Sequence, residues 1–257
     1  MKITVLGSGT SHGVPMVRCS CEVCRSTDPK NKRYRASVFV ETENMNILID
    51  TTPELRLQLL QANVQEIDAV FYTHGHADHI NGLDDLRPYC CHSEMPVYGN
   101  YETLKDIKER FSYIFKPTQL GGGKPRLELT PIIDSYFYLS NTKITPIPVK
   151  HGELDILGYR IGDFSYITDC SCIPETSMEM LKGTKILIIG ALRYKPHSTH
   201  FSINQAREAA EKIAPEMTYF THISHKLDHT RLTQELPNKI KPAFDGLTIE
   251  MNKGIYA

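Results

Sequence analysis

Residues 73–82 read THGHADHING and follow directly on the apolar run Ala-Val-Phe-Tyr at 69–72. Within six positions this stretch supplies His74, His76, Asp78 and His79. A short run of β-branched and aromatic residues predicts a buried strand, so the four side chains leave one strand end together. Imidazoles at i and i+2 of an extended or turning segment point to one side, and the carboxylate and third imidazole reach a neighbouring point. The spacing differs from the i, i+4 helical pattern of a metalloprotease motif. Neutral imidazole and carboxylate form the ligand set for Zn, Mn or Fe. One histidine in a loop is usually a satisfied polar residue; three with an aspartate read as metal ligands.

Further candidates stand where other apolar runs give way to loops. His151 follows ITPIPV, Asp169 follows FSYIT, and His222 follows YFT. Strands are predicted at 2–7, 37–41, 46–50, 69–73, 143–149, 159–162, 164–168, 185–190, 218–221 and 247–251, from Val, Ile and aromatic enrichment. A helix is expected over 53–62, with Pro53 in its first turn and Leu55, Leu59 and Leu60 on one face. A second is expected over 101–115, and a third opens at Ser202 with Gln205 completing a capping box and ends at Pro215. LGGGKP at 120–125 reads as a mobile loop, not a domain boundary. Strand runs followed by helices in each half predict an α/β fold: an αββα sandwich of two packed mixed sheets with helices on both outer faces. No internal repeat and no linker is visible, so 1–257 is expected to be a single domain.

Composition narrows the function classes. Lys plus Arg is 29 and Asp plus Glu is 30, so the net charge of −1 shows no bulk positive field for nucleic acid, although a local basic groove stays open. No apolar run approaches the roughly 18 residues of a transmembrane helix. The opening MKITVLGSGTSHG lacks the longer apolar stretch of a signal peptide. Seven cysteines is an odd number, and Cys19, Cys21 and Cys24 are crowded too closely for mutual disulfides. Reduced thiols, and hence a cytoplasmic location, are expected.

The combination of NILIDTTPE with Asp50, THGHADH, His151 in KHG, Asp169 in YITDCS and His222 in FTHISH resembles the metallo-β-lactamase superfamily. The resemblance implies a binuclear site. One divalent metal would take His74, His76 and His151; the other would take Asp78, His79 and His222; Asp169 would bridge them and Asp50 would support the site. CSCEVC, GLDDLRPY at 82–89, TDCS, HSTHFS at 197–202 and THISH together look like the PhnP-like cyclic phosphodiesterases. In that group a Cys-x-Cys-x-x-Cys loop and a histidine three residues after the last active-site ligand hold a separate structural zinc. The matching positions are Cys19, Cys21, Cys24 and His225, with the zinc loop at about 17–26; Cys₃His is a closed ligand set of the structural type. On sequence alone, three close cysteines could also be free or redox-active.

The same resemblance makes His200 and Asp78 the catalytic residues and implies a homodimer. His200 lies just before the capped helix, where anions are favoured; His197 is its nearest competitor. Arg87 is a candidate for contacting a substrate phosphate, its alternative being a salt bridge to Asp84 or Asp85. The implied activity is metal-dependent hydrolysis of a small phosphodiester, such as a cyclic nucleotide or ribosyl cyclic phosphate. The nucleophile would be a hydroxide shared by two ions (Mn, Zn or Fe), with His200 protonating the leaving alkoxide.

Three alternatives are a tRNA 3′-processing-type endonuclease, a thioester or lactam hydrolase, and a non-catalytic metal-binding module. The first needs a long basic arm that the sequence does not show. Cys90, Cys91 and Cys172 are expected to be small packing residues, and Cys170 to pack beneath the metals. His12, His92 and His229 are expected to be surface or capping histidines, with the loop of His12 a candidate to approach the site.

Overall fold

The computed structural model describes residues 1–91, 93–117 and 123–251. His92 and the Leu120–Gly122 part of the LGGGKP loop lie outside the described residues. The first sheet contains β1 (Lys2–Gly7), β2 (Ser37–Glu41), β3 (Asn46–Ile49), β4 (Ala69–Phe71), β5 (Met95–Gly99), β6 (Leu127–Pro131) and β14 (Thr248–Glu250). The second contains β7 (Phe137–Leu139), β8 (Thr142–His151), β9 (Leu154–Ile161), β10 (Phe164–Ile167), β11 (Ile186–Gly190), β12 (Met217–Thr221) and β13 (Ile240–Pro242). Among the described residues the α-helices are α1 (Glu22–Arg25), α2 (Leu55–Gln61), α3 (Ala77–Ile80), α4 (Tyr101–Arg110), α5 (Ser112–Phe115), α6 (Glu175–Leu181), α7 (Ile203–Ile213) and α8 (His229–Glu235).

Both sheets have the same plan. In the first, β14-β1-β2-β3 pair antiparallel and β3-β4-β5-β6 pair parallel. In the second, β7-β8-β9-β10 are antiparallel and β10-β11-β12-β13 parallel. The switch strands are β3 and β10; Asp50 follows β3 directly, and Asp169 follows β10 one residue on, after Thr168. Open sheets place their binding residues outside the carboxyl ends of parallel strands, at such switches.

Two-sided burial explains why these strands read as nearly continuous apolar runs. Ile47 and Ile49 face the layer between the sheets, with Phe71, Tyr159, Phe164 and Tyr166. Leu48, one residue out of step, faces the other way onto Leu55, Leu59 and Leu104 of α2 and α4, as the two-residue period of a strand requires. On the opposite outer face, Leu187 and Ile189 pack on Ile203, Ala206, Ala210 and Ile213 of α7. The fold is therefore the expected αββα sandwich. Among the described residues, no helix is long and apolar enough to cross a membrane.

The capping box is present at Ser202 and Gln205, and α7 ends at Ile213 with Ala214 in the left-handed region. Other expectations need correction. The 101–115 helix is two: the backbone leaves helical geometry at Phe111 (φ −105°, ψ 35°), and Ile114 supplies the next fully buried side chain. A 3/4-residue apolar spacing does not record that change of direction. Leu60 does not share the buried face of α2; it is 65% exposed. Cys91 and Cys172 are exposed, not packed. His229 is buried at the start of α8, its backbone N–H donating to Asn31 Oδ1 at 2.9 Å.

Candidate metal centre

Strand ends from both sheets converge on one edge of the sandwich. The loop after β4 carries His74 and His76, α3 carries Asp78 and His79, and β8 ends at His151. Asp169 follows β10, and His222 follows β12. Asp50, Asp169 and His222 all have left-handed backbones, with φ of 65°, 53° and 55°. That conformation costs a non-glycine residue roughly 1–3 kcal/mol and persists where the surroundings over-determine it. The turn after α3 is held against the exit of β3: Thr51 N–H donates to the His79 carbonyl at 2.7 Å and Gly82 N–H to the Thr51 carbonyl at 2.9 Å. A Cβ at Gly82 would lie 1.9 Å from the Thr52 carbonyl oxygen, so this approach requires glycine.

The side chains form two adjoining sets. The facing nitrogen atoms of His74, His76 and His151 make one group; Asp78, His79, Asp169 and His222 make the other, with ligand atoms within 4.8 Å of one another in each. Asp169 lies between them: its Oδ2 is 3.2 Å from His222 Nε2 and 4.0 Å from His74 Nε2, and its Oδ1 is 3.5 Å from His79 Nε2. The rings are aimed by hydrogen bonds on their far sides. His79 Nδ1–H donates to Asp50 Oδ2 at 2.8 Å, and His151 Nδ1–H donates to the Thr199 carbonyl at 2.7 Å. Nε2 of each ring is thereby left as the lone-pair atom facing the centre. Asp50 is itself held by Thr73, whose N–H and hydroxyl donate to it at 2.8 Å.

The donor set fits metal ions. Nε2 of His79 lies 3.2 Å from Asp78 Oδ2, and Nε2 of His222 lies 3.2 Å from Asp169 Oδ2, yet neither nitrogen makes a hydrogen bond among the described residues. Buried nitrogens and carboxylate oxygens that converge without hydrogen bonding are a cradle for a cation. Electrostatics agree at every one of these groups except His79. Burial pushes His74 well below the ordinary imidazole range, lowers His76, and lowers His151 against the pull of Asp169. Burial alone would raise Asp78 and Asp169, but His79 and His222 hold both carboxyls well below their usual range. Burial would lower His79; the carboxylates of Asp78, Asp169 and Asp50 instead raise it well above. Ionised carboxylates and neutral imidazoles at 74, 76 and 151 are the states metal binding needs.

His200 sits on the rim of both sets and forms a further ligand group with His151 and Asp169. Its Nε2–H donates to Asp169 Oδ2 at 3.1 Å, and its ring lies 4.7 Å from that of His151 and 4.9 Å from that of His222. Burial lowers His200, partly countered by the Asp169 hydrogen bond. His197 stands one ring further out, 5.0 Å from His200, and belongs to neither set. Arg87 pairs with Asp84 at 3.1 Å and donates to the Gly123 carbonyl at 3.2 Å. It lines a cleft of about 670 Å³ with Arg56, Leu60 and Tyr89, which holds none of the clustered His and Asp residues. Its ion pair is the alternative weighed above, and a substrate contact gains no support. His12 is exposed beside Ser11, and Cys170 is buried in the core beneath α7.

A second cluster lies apart from the first. Cys19, Cys21, Cys24 and His225 form one ligand group. Cys19 Sγ and Cys21 Sγ lie 3.3 Å and 3.4 Å from His225 Nδ1, and Met16 N–H donates to Cys24 Sγ at 3.3 Å. Cys21 caps α1, accepting from Cys24 N–H at 3.5 Å. Sequence reasoning missed Thr73, Thr199 and the buried Arg33. A hydroxyl residue directly before His-x-His was a readable signal for Thr73; Thr199 acts through its carbonyl, and nothing in the pattern marks Arg33.

A family model described as a Beta-lactamase superfamily domain matches residues 45–223. The chain belongs to this superfamily, and its His/Asp cluster supplies the ligand groups of a metal site. Within that class it is PhnP-like. A crystal structure of a diphosphatase from the PhnP family is 45% identical with a TM-score of 0.91, covering 98% of each chain. A protein of Porphyromonas gingivalis (strain ATCC BAA-308 / W83) named octanoyltransferase is 41% identical over 263 residues, 99% of this chain and 53% of that protein. The chain thus spans about half the length of that curated relative. Zn(2+)-bound PqqB from Methylobacterium extorquens, at 18% identity and TM-score 0.77 over 98% of this chain and 100% of that one, shares the fold.

Proposed function

We propose that the chain hydrolyses a small phosphodiester, with two divalent ions in the His/Asp cluster and one structural zinc in the Cys₃His cluster. Asp169, placed between the two sets at 3.2 Å from His222 and 4.0 Å from His74, is the observation that carries this reading. One carboxylate between two adjoining ligand groups suits a pair of ions. His74, His76 and His151 would hold one; Asp78, His79 and His222 the other; Asp169 both. The ions, when bound, supply Lewis acidity toward the phosphate oxygens and lower the pKa of water.

The chain's own residues do the rest. Asp50 and the Thr199 carbonyl keep His79 and His151 in the tautomer that presents Nε2. His200 Nε2 is the proton carrier nearest the cluster, and Thr199 Oγ1, 2.9 Å from its Nδ1, orients the ring. An anionic substrate beside His200 raises its proton affinity, countering burial, so that it protonates a leaving alkoxide. His200→Gln should lower turnover by roughly 10²–10⁴ with metal content unchanged, and more for alkyl leaving groups than for p-nitrophenolate, which needs little protonation. Loss of metal, or full retained activity, refutes the role.

The relative described as a diphosphatase supports a second reading, cleavage of a disubstituted diphosphate. Each phosphorus of such a molecule also carries two linkages, so the same site serves. The relative's octanoyltransferase name covers a protein about twice this length and lends no acyl chemistry to the cluster. The deciding assay is a panel with Mn²⁺: bis-p-nitrophenyl phosphate, a 2′,3′-cyclic nucleotide, a disubstituted diphosphate and a phosphomonoester. Chelator-sensitive turnover of the first two supports the diesterase. Turnover confined to the diphosphate selects the second reading, and turnover of neither class refutes both.

A further inference from the structure

The two clusters share one short piece of backbone. His222 belongs to the His/Asp cluster and His225 to the Cys₃His cluster. The span between them is pinned on one side by the first sheet and the β11 exit: Ile223 N–H donates to the Ser8 carbonyl at 2.9 Å, Thr10 N–H to the Ile223 carbonyl at 3.2 Å, and Ser224 N–H to the Leu192 carbonyl at 3.1 Å.

The other side of the span rests on Arg33, which is buried at 2% exposure. Its Nη1 donates to the Ser224 carbonyl at 3.4 Å; its Nη2 donates to the Leu227 carbonyl and to Asn31 Oδ1, both at 3.0 Å. Asn31 carries the brace onward, donating to Asp228 Oδ2 at 2.7 Å and accepting from His229 N–H at 2.9 Å. The Arg33 main chain exchanges hydrogen bonds of 2.7 Å and 2.9 Å with Val14, and Val14 packs against Val23 and Cys24 of the cysteine loop. Arg33 therefore joins the two: its main chain holds Val14 against the thiol-bearing loop, and its guanidinium grips the segment that leads back to His222. His222 needs such a grip, because its left-handed backbone (φ 55°) relaxes when its surroundings loosen.

We propose that Arg33 is a positioning residue for His222, coupling occupancy of the Cys₃His cluster to the metal affinity of the Asp78–His79–Asp169–His222 set. Filling the thiol cluster fixes His225, Arg33 transmits that rigidity across Ser224 and Leu227, and His222 is presented ready to bind. Losing the thiol-bound ion, by chelation or by oxidation of the cysteines, weakens that half of the hydrolytic centre. The His74, His76 and His151 set, which stands on β4 and β8, is left unchanged. This inference rests on the proposed metal assignments.

The test uses the full chain, stripped of metal, with Cys91→Ser and Cys172→Ser to remove the exposed thiols. Co²⁺ is titrated into the His/Asp cluster, followed by its d–d absorption, with and without one equivalent of Cd²⁺ for the soft thiolate set. Cd²⁺ should tighten one of the two Co²⁺ ions by about tenfold, within the usual range of coupling, and leave the other within about twofold. The tightened ion should be the one whose absorption His222→Gln removes. Arg33→Lys, whose single ammonium lacks the planar fork that spans Ser224, Leu227 and Asn31 from two nitrogens, should bind Cd²⁺ but lose the tightening.

An unchanged affinity for both ions, equal tightening of both, or undiminished coupling in Arg33→Lys overturns the proposal. If the lysine variant does not fold, the Cd²⁺ comparison, which leaves Arg33 and every ligand intact, decides alone. Failure of the His/Asp cluster to take up Co²⁺ at all overturns the metal assignment as well, whereas two bound ions without coupling overturn only this inference.

Discussion

Replacing Asp50 by Asn probes how the fold prepares a metal ligand without touching the metal. The Asp50 carboxylate is fully buried and accepts hydrogen bonds, all at 2.8 Å, from Thr73 N–H, the Thr73 hydroxyl and His79 Nδ1–H. Asparagine has nearly the same shape and tolerates the left-handed backbone at this position, so the fold should survive. Its one oxygen serves the Thr73 N–H at the Oδ1 position, and its NH₂ then replaces Oδ2. The Thr73 hydroxyl can turn to accept from it; His79 Nδ1–H cannot. The ring is driven to the other tautomer, with its proton on Nε2, the atom that faces Asp78 and Asp169.

Loss of such a supporting partner weakens metal binding by roughly 10–100-fold, or about 1.4–2.7 kcal/mol at 1.36 kcal/mol per decade. The loss should fall on one of the two proposed ions, because the hydrogen bonds of Asp50 go to Thr73 and His79 and not to His74, His76 or His151. Competition titration against a chromophoric chelator, read together with far-ultraviolet circular dichroism, separates weakened binding from unfolding. A folded Asp50→Asn chain that binds both ions with unaltered affinity would refute the tautomer argument.

Two further expectations concern the scaffold. A Cβ at Gly158 would lie 2.3 Å from Ile167 Cδ1 and 2.8 Å from the Tyr166 carbonyl oxygen, so Gly158→Ala should cost about 1–3 kcal/mol by overpacking; a chemical-denaturation midpoint within error of the parent would count against it. His229 is pushed down to about 4 by burial and by the cations of Lys30 and Arg33. A depressed histidine favours the folded state above its unfolded value of about 6.5 and loses that advantage as pH falls through the folded value. Melting temperatures of the parent and of His229→Gln, compared from pH 7 down to 4, should therefore converge or cross in the parent's disfavour as acid is added, and a constant gap would refute the assignment.

What could be read beforehand follows from which features are local. Runs such as NILI and ILIIG announce buried strands because both faces are covered, and a histidine or aspartate at such a run's end needs no neighbour to be noticed. β5 contains Pro96 and was missed, although it lies between β4 and β6. β7 and β13 have three residues each and exist because longer strands pair with them. The matching plans of the two sheets leave no trace in the sequence, since strand pairing constrains order and direction while many apolar residues satisfy each position. Thr199 supports His151 with a carbonyl, a group every residue possesses, and Arg33 sits among charged neighbours that give no hint it is buried.

The left-handed backbone at His222 has an evolutionary corollary. A residue with φ near 55° whose ring nitrogens make no hydrogen bond among the described residues is doubly unfavourable for folding, and glycine would relieve both burdens at once. Selection acting on thermal robustness alone would drift this position to glycine and erase the imidazole. An imidazole in this place therefore marks the chain as shaped for chemistry at the expense of its own durability.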